Sequence, residues 1–298
     1  MYQWIIDEDD HQRMLREYLL ERRQISKRAL TSIKYKGGKI LVNGEEKTVR
    51  YILQQGDRIE IIFPPEKRSG WMTPVDIPLS IIYEDEHVLV INKPPKLATI
   101  PSRHHPTQTL ANGIIHYYDQ KGLPYTVHVV TRLDRDTSGL VLIAKQRYSH
   151  SILFQDQQEK KIKRSYIAIV EGTLKEKKGV INYPIARASD SILKRMVSEI
   201  GQQAITHYQV REETPVASLV DLYLETGRTH QIRVHCEYIG HPLFGDSLYN
   251  GNMDFIDRQA LHCQSLTFQH PTTREEMHFE IALPDDMEKL WSELKDLQ

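Results

Sequence analysis

Residues 131–139 place two carboxylates, several hydroxyls and a glycine directly before an apolar strand that we predict over residues 140–144. A carboxylate beside a buried strand is costly unless hydrogen bonds or a cation satisfy it. Carboxylates held in this way are frequent at catalytic sites, so Asp134 is a candidate nucleophile. The alternative is that Asp134 only caps a turn through the amide of Thr137 or Ser138.

A second stretch, residues 226–235, reads Thr-Gly-Arg-Thr-His-Gln-Ile-Arg-Val-His and follows an alternating strand predicted over residues 219–225. It begins a predicted helix in which Ile232, Cys236 and Ile239 face one way, which leaves Arg233 free to reach a partner. A guanidinium beside a carboxylate favours its charged form, so we predict that Arg233 pairs with Asp134. The alternative is a buried ion pair that only orders the core.

Residues 132–139 read Arg-Leu-Asp-Arg-Asp-Thr-Ser-Gly, and with the following strand they resemble the active-site motif of the RluA/RluD-type pseudouridine synthases. Three further stretches resemble that family: Asn-Lys-Pro-Pro at residues 92–95, Lys-Arg-Ser-Tyr at residues 163–166, and residues 226–235. The resemblance extends from about residue 81 to about residue 283. One position departs, because Thr131 stands where the family most often has histidine. We expect this change to affect local RNA contacts more than the reaction.

The resemblance implies isomerisation of uridine within RNA, in which the base leaves the ribose anomeric carbon, turns and rejoins through a ring carbon. A carboxylate nucleophile such as Asp134 suits an electrophilic sugar carbon, and the site must exclude water. Tyr166 matches the family's active-site tyrosine, expected to stack on the base and act as a general base at the ribose. Taken alone, Tyr166 is more typical of a core aromatic. Arg132 matches the arginine that fills the gap left by an extruded uridine.

Two other functions are alternatives to this interpretation. Asp134 and Asp136 mimic the Asp-x-Asp of haloacid dehalogenase-type phosphatases, but there the apolar strand precedes the first aspartate, whereas here it follows. A non-catalytic RNA-binding or assembly protein is the other alternative, and the joint presence of Asp134, Tyr166 and Arg233 argues against it. A pseudouridine assay would discriminate between them.

The sequence predicts neither a cofactor nor a metal. It has no glycine-rich phosphate-binding motif of the P-loop or dinucleotide type. The 14 histidines are scattered: His230 and His235 would not share a helix face, and the His104–His105 pair has no nearby carboxylate or thiol. Cys236 and Cys263 form no C-x-x-C pair, which fits a reducing cytoplasm.

The first 64 residues form a predicted small RNA-binding domain. Met14, Leu15, Tyr18 and Leu19 predict an amphipathic helix, and Ser26 caps a second helix that Gly37-Gly38 ends. Strands are predicted at residues 40–42, 48–53 and 58–63. Lys39 to Gly44 and Gly56 to Ile59 resemble the S-four-type RNA-binding domain. The alternative is a structural helical adaptor with a solvated basic face.

The charge of this segment supports an RNA partner, although the whole chain has a net charge of −1. Residues 11–58 carry twelve bases and five acids, a local net charge of +7. Such clusters bind phosphates. The candidate RNA-binding residues here are Arg13, Arg16, Arg22, Arg23, Lys27, Arg28 and Lys39.

The rest of the chain predicts a catalytic domain. Residues 65–75, rich in proline and charge, are the predicted linker between domains 1–64 and 76–298. Strands at residues 87–92, 140–144, 165–170 and 219–225, with helices at 148–158 and 228–238, predict an α+β fold around a mixed, largely antiparallel sheet. An appended basic domain implies a large structured RNA, and within the family that the motifs resemble its presence favours large-subunit ribosomal RNA as substrate over transfer RNA. With 40% hydrophobic residues, an acidic start and no membrane-length apolar run, we expect a cytoplasmic monomer.

Overall fold

The computed structural model describes residues 1–68, 72–102, 106–189 and 191–297. Part of the predicted linker, residues 69–71, and the His104–His105 pair lie outside the described residues. Among the described residues, no helix is long and apolar enough to cross a membrane. Cys236 and Cys263 are both buried free thiols.

The N-terminal residues form a four-stranded antiparallel sheet. Its strands are β1 (Tyr2–Ile5), β2 (Lys39–Val42), β3 (Glu45–Glu46) and β4 (Arg58–Ile62), and they pair in the order β1-β4-β2-β3. Its helical segments are a 3₁₀ turn (Glu8–Asp10), α1 (Leu15–Glu17) with a π-helical continuation (Tyr18–Arg22), and α2 (Lys27–Tyr35). The predicted cap of α2 is confirmed, since the Ser26 hydroxyl accepts from the Ala29 amide at 3.1 Å.

One strand of this unit was not predicted, and one predicted strand was wrong. Strand β1 was not predicted, because the alternation that buries Tyr2 and Trp4 covers only four residues and its partner β4 is distant in the sequence. The strand predicted over residues 48–53 is a series of turns with one bridge between Ile52 and Met14. Its carbonyls accept from the segment that begins α1, as in the bond from the Arg16 amide to Val49, so it does not join the sheet.

The remaining residues build one large sheet. Its strands are β5 (Ser80–Glu84), β6 (Val88–Lys93), β7 (His128–Val129), β8 (Ser138–Ala144), β9 (Lys163–Glu171), β10 (Lys178–Asn182), β13 (Ile205–Glu213), β14 (Ala217–Leu224), β15 (Leu261–Gln269) and β16 (Glu276–Glu280). They pair in the order β10-β13-β14-β9-β15-β8-β6-β5, with β16 added beside β15 and β7 beside β8. Within the described residues, every pairing in this sheet is antiparallel except that of β8 with β15, so the predicted α+β class is confirmed. A separate hairpin joins β11 (Ile185–Arg187) to β12 (Arg195–Val197).

Helices cover this sheet and complete its core. They are α3 (Leu110–Gln120), α4 (Arg147–Gln158), α5 (Gln231–Tyr238) and α6 (Asp285–Asp296). Helix α5 begins three residues later than predicted, because the Gln231 side chain accepts from the Arg228 amide and His230 has a left-handed backbone with φ of 57°. Strand β8 is buried along its whole length, which places the segment before it beside the core.

The N-terminal sheet packs on helix α4 of the larger unit. The Phe63 and Tyr148 rings stack with centroids 5.3 Å apart, and the Tyr148 hydroxyl donates to the Arg23 carbonyl at 2.6 Å. The described part of the predicted linker is also attached, since Arg68 donates to the carbonyls of Leu123 and Tyr125. The division into residues 1–64, 65–75 and 76–298 stays a prediction.

Candidate active site

Small and hydroxyl residues hold the start of β8, and Thr137 just before it, close to β15. Gly139 has φ of +115°, and a Cβ there would overlap the main chain of Cys263 on β15. The Ser138 hydroxyl contacts His262 Nδ1 at 2.8 Å, and the Gln259 side chain donates to Thr137 at 3.1 Å. These contacts fix the start of β8 and the residue before it against β15 and Gln259, which restricts the position of the loop that carries Asp134.

Thr131, the departure from the family pattern, is buried. Its hydroxyl accepts from the Leu142 amide at 2.9 Å, and its side chain is 1% exposed. In this conformation Thr131 is closed off from RNA and joins the loop to β8. Threonine in place of the histidine that the family most often has therefore changes how the loop is supported.

Lys93, from the Asn-Lys-Pro-Pro stretch, anchors the same loop from β6. Its fully buried ammonium donates to the carbonyls of Pro94, Leu97 and Arg135 at 2.8 to 3.0 Å. Burial lowers the pKa of Lys93 to about 7, against the opposing effect of the Asp136 and Asp134 carboxylates. An ammonium has three donors, and here each has an acceptor.

Asp134 and Arg233 meet as predicted. Arg233 Nη1 lies 3.3 Å from Asp134 Oδ2, and the carboxylate side chain is 30% exposed at the cavity wall. The predicted contact is thereby confirmed. The turn around Asp134 is closed by its main chain, whose carbonyl accepts from the Thr137 amide at 3.2 Å.

Arg233 also has a second, tighter partner in Asp246. Arg233 Nε and Nη2 donate to the two oxygens of this fully buried carboxylate at 2.6 and 2.8 Å. Burial disfavours the charge on Arg233, but the hydrogen bonds and the charge of Asp246 raise its pKa above the ordinary value. Asp246 therefore fixes the plane of the guanidinium, and the remaining nitrogen faces Asp134.

Tyr166 lies on β9, 4% exposed, and lines the same cavity as Asp134 and Arg233. Burial raises the pKa of its hydroxyl, and the Arg164 guanidinium, 5.8 Å from the ring centroid, opposes that rise. Tyr166 is therefore a neutral phenol near pH 7.

His230 lines the cavity beside Asp134, and the buried Tyr249 contacts His230 from outside the lining. His230 Nδ1 lies 2.9 Å from the Tyr249 hydroxyl, and its Nε2 lies 3.8 Å from Asp134 Oδ2. The Tyr249 hydroxyl also accepts from the Arg195 amide at 2.9 Å. Burial lowers the pKa of His230, although the Asp134 charge opposes this. Burial raises the pKa of Tyr249 to about 12.

The structure brings Arg132, Asp134, Tyr166 and Arg233 to one cavity of about 80 Å³. Arg132 is exposed at its edge. Asp136 pairs with Arg135 and is outside the lining, so the phosphatase interpretation lacks its second carboxylate at the site. Within the described residues, no cluster of three or more histidine, cysteine, aspartate or glutamate side chains could hold a metal ion.

The predicted RNA-binding bases of the N-terminal unit fall into two groups. Arg13 and Arg22 pair with the buried Asp10, and Arg23 lies over the Trp4 and Tyr18 rings. The other four are exposed, and the described residues place no carboxylate within 4.0 Å of them: Arg16, Lys27, Arg28 and Lys39.

Sequence reasoning missed Asp246 and Tyr249, and it gave Lys93 no role. Asp246 follows the apolar Leu243 and Phe244, and a carboxylate among such residues needs a partner. That signal was present but could not identify Arg233, thirteen residues away, as the partner.

Comparison with known proteins agrees with this geometry. The model of the RNA pseudouridylate synthase family matches residues 87–238. The Bacillus subtilis protein named "Uncharacterized RNA pseudouridine synthase YjbO" is 52% identical over 89% of this chain and 94% of its own length. Ribosomal large subunit pseudouridine synthase D of Vibrio parahaemolyticus is 39% identical over 84% of this chain and 81% of its own.

A solved structure, Human RNA Pseudouridylate Synthase Domain Containing 1, superposes with a TM-score of 0.59 at 25% identity, covering 73% of this chain and 86% of that one. The family match spans β6, the Asp134 loop, β9 and helix α5, which carry Asp134, Tyr166 and Arg233. The chain therefore belongs to the RNA pseudouridylate synthase family.

Proposed function

We propose that this isomerase converts uridine to pseudouridine in large-subunit ribosomal RNA, with Asp134 as the nucleophile. The observation that carries the proposal is the single cavity in which the Asp134 carboxylate faces Arg233 and Tyr166. A partly exposed carboxylate with a fixed cation is suited to attack an electrophilic sugar carbon.

The reaction balances without water or a cofactor. An Asp134 oxygen attacks C1′ of the uridine, and the N1–C1′ bond breaks with its electrons on the uracil. The uracil turns in the cavity, its C5 bonds to C1′, and the bond from Asp134 breaks, which restores the carboxylate. C5 then loses its proton and N1 gains one, which completes the pseudouridine. Arg233 stabilises Asp134 as an anion at the start and at the end.

Tyr166 supports this sequence through its ring and its hydroxyl. The ring forms a wall against which the freed uracil stacks, and the hydroxyl is the proposed general base at the ribose, where it takes the 2′-hydroxyl proton as positive charge develops at C1′ and returns it when C5 bonds to C1′. Because the phenol is neutral in the resting enzyme, it must first lose its own proton to solvent, and the neighbouring Arg164 favours that loss. Arg132, exposed at the cavity edge, is proposed to occupy the gap that the extruded uridine leaves.

The choice of ribosomal RNA rests on two observations. Relatives 34 to 39% identical are named ribosomal large subunit pseudouridine synthase D, and they match at least 80% of this chain. The N-terminal unit, which we propose is an S-four-type RNA-binding domain, presents Lys27, Arg28 and Lys39 for phosphates far from the reacting uridine. A transfer RNA loop is the second candidate. The cytoplasmic location and the monomeric state stay predictions.

The test is to map pseudouridines in ribosomal and transfer RNA from a strain lacking this protein, beside its parent. We expect one or a few large-subunit sites to lose pseudouridine and to regain it with the wild-type gene but not with Asp134→Asn. The amide keeps the shape of the side chain but not its nucleophilicity, so this variant should still bind RNA. Loss confined to transfer RNA would contradict the ribosomal substrate, and full activity of Asp134→Asn would contradict the mechanism.

A further inference from the structure

Behind Asp134, the contacts of Tyr249 and His230 determine which atom of each side chain donates a hydrogen bond and which accepts one. The Tyr249 oxygen accepts from the Arg195 amide, and the acceptor that the described residues offer to its hydroxyl proton is His230 Nδ1 at 2.9 Å. An Nδ1 that accepts a proton from Tyr249 is unprotonated. A neutral imidazole then carries its hydrogen on Nε2, which faces Asp134 Oδ2 at 3.8 Å.

Two donors therefore address the same carboxylate oxygen. Arg233 Nη1 lies 3.3 Å from Oδ2, and His230 Nε2 approaches Oδ2 from the N-terminal end of α5. Among the described residues, no donor is within hydrogen-bond distance of Oδ1. The arrangement holds one oxygen of Asp134 and leaves the other, on a side chain that lines the cavity, without a donor among the described residues. The longer His230 distance is of the kind that tightens when substrate closes the site.

We propose that Tyr249 and His230 are positioning residues: Tyr249 holds His230 in the Nε2–H tautomer, and this N–H, with Arg233, presents Asp134 Oδ1 for attack. The inference rests on the proposed function and deepens it. The local backbone supports it, because His230 has a left-handed conformation that few non-glycine residues adopt, directly before the first residue of α5. The Tyr249 ring also lies 4.9 Å from the Arg233 guanidinium, so one side chain contacts both donors.

The first measurement is the tautomer of His230 in the full-length wild-type protein, by nitrogen-15 NMR with labelled histidine. His235 is an internal reference, because its Nε2 faces the Tyr183 carbonyl at 3.0 Å and must carry hydrogen. The His230 signal is assigned by its absence in His230→Gln. We expect Nε2 protonated and Nδ1 bare in the wild type, and loss of that preference in Tyr249→Phe. A His230 protonated on Nδ1 in the wild type would overturn the proposal.

The second measurement is single-turnover pseudouridine formation on RNA from the strain lacking this protein. Tyr249→Phe keeps the ring beside Arg233 and should slow the chemical step about tenfold with RNA affinity unchanged, the effect of one hydrogen bond to a charged group. His230→Gln should be slowed similarly, and the double variant no more than the slower single. Tyr183→Phe, which removes an exposed hydroxyl, is the control. A wild-type rate in Tyr249→Phe would refute the relay, whereas an inactive wild type would refute the proposed function and leave the tautomer result standing.

Discussion

Arg233 divides its donors between a carboxylate at the cavity and a carboxylate behind it. Asp246 takes two hydrogen bonds and is fully buried, whereas Asp134 takes one and is partly exposed. The group that stabilises the proposed nucleophile is thus oriented by a residue that does not line the cavity. Arg233 is therefore expected to contribute to both stability and catalysis. Because it does so through different carboxylates, Asp246 and Asp134, the two contributions can be measured in separate variants.

Arg233→Ala should lower the free energy of unfolding by about 3 to 5 kcal/mol, because it leaves Asp246 as a buried unpaired charge. Asp134→Asn should change it by less than about 1 kcal/mol, since its side chain is partly exposed. Urea denaturation of the two variants beside the wild type measures both values. Arg233→Met combined with Asp246→Leu is the control, which should recover much of the stability but no activity. Equal destabilisation by Arg233→Ala and Asp134→Asn would contradict this partition.

Tyr166→Phe separates the ring from the hydroxyl. If the hydroxyl is the general base, this variant should bind RNA as the wild type does and lose about 10² to 10⁴ of the rate. Burial raises the pKa of Tyr166, so the phenolate fraction grows as pH rises above 7, and the wild-type single-turnover rate should grow with it. The variant should lack that dependence. A wild-type rate in Tyr166→Phe would leave stacking as its only role.

Elements that carry a periodic or capping signal were predicted well from the sequence. Helix α2 with its Ser26 cap and the apolar strand β8 were predicted nearly to the residue, because their signals are local. Strand β1 and the turns of residues 48–53 were not, since their hydrogen bonds are made to distant segments. The Asp134–Arg233 contact was predicted because a buried nucleophilic carboxylate needs a cation and the helix pattern leaves Arg233 off the apolar face. Asp246 and Tyr249 join the site only through tertiary contacts.

Gly139 shows how one element constrains the site. It is the second residue of β8, where its positive φ and the closeness of Cys263 on β15 both require a hydrogen in place of a side chain. Gly139→Ala should cost about 3 kcal/mol or more, because strain adds to overlap with main-chain atoms. Gly44→Ala is the matched control: its φ is +83°, but no atom lies within 4 Å of its added Cβ, so about 1 kcal/mol is expected. Thermal unfolding of both variants checks this, and equal losses would show that the approach to β15 is not limiting.

The N-terminal unit shares a hydrophobic core with the larger unit that carries the cavity. Tyr148 and Ile152 of α4 pack among Tyr2 and Trp4 of β1, and the Tyr2 hydroxyl lies 2.8 Å from that of Ser149. Deleting residues 1–64 would therefore expose an aromatic face as well as remove charge. Substitution of surface bases is the cleaner test of RNA binding, since it leaves this shared core intact.

Lys27→Gln combined with Arg28→Gln should flatten the salt dependence of RNA binding. Both side chains are exposed near the start of α2. The slope of log K against log salt is negative, and each phosphate that the protein no longer neutralises reduces its magnitude by about 0.7 to 0.9. Lys175→Gln combined with Lys178→Gln removes the same charge from exposed positions at and just before the edge strand β10 and is the matched control. Filter binding from 50 to 300 mM salt, roughly the range in which counterion release dominates, measures the slopes. Arg13 and Arg22 already pair with Asp10, and Arg13 also pairs with Glu21, so most of the effect should come from the four exposed bases. Equal slopes for the two double variants would show that α2 is not an RNA-binding surface.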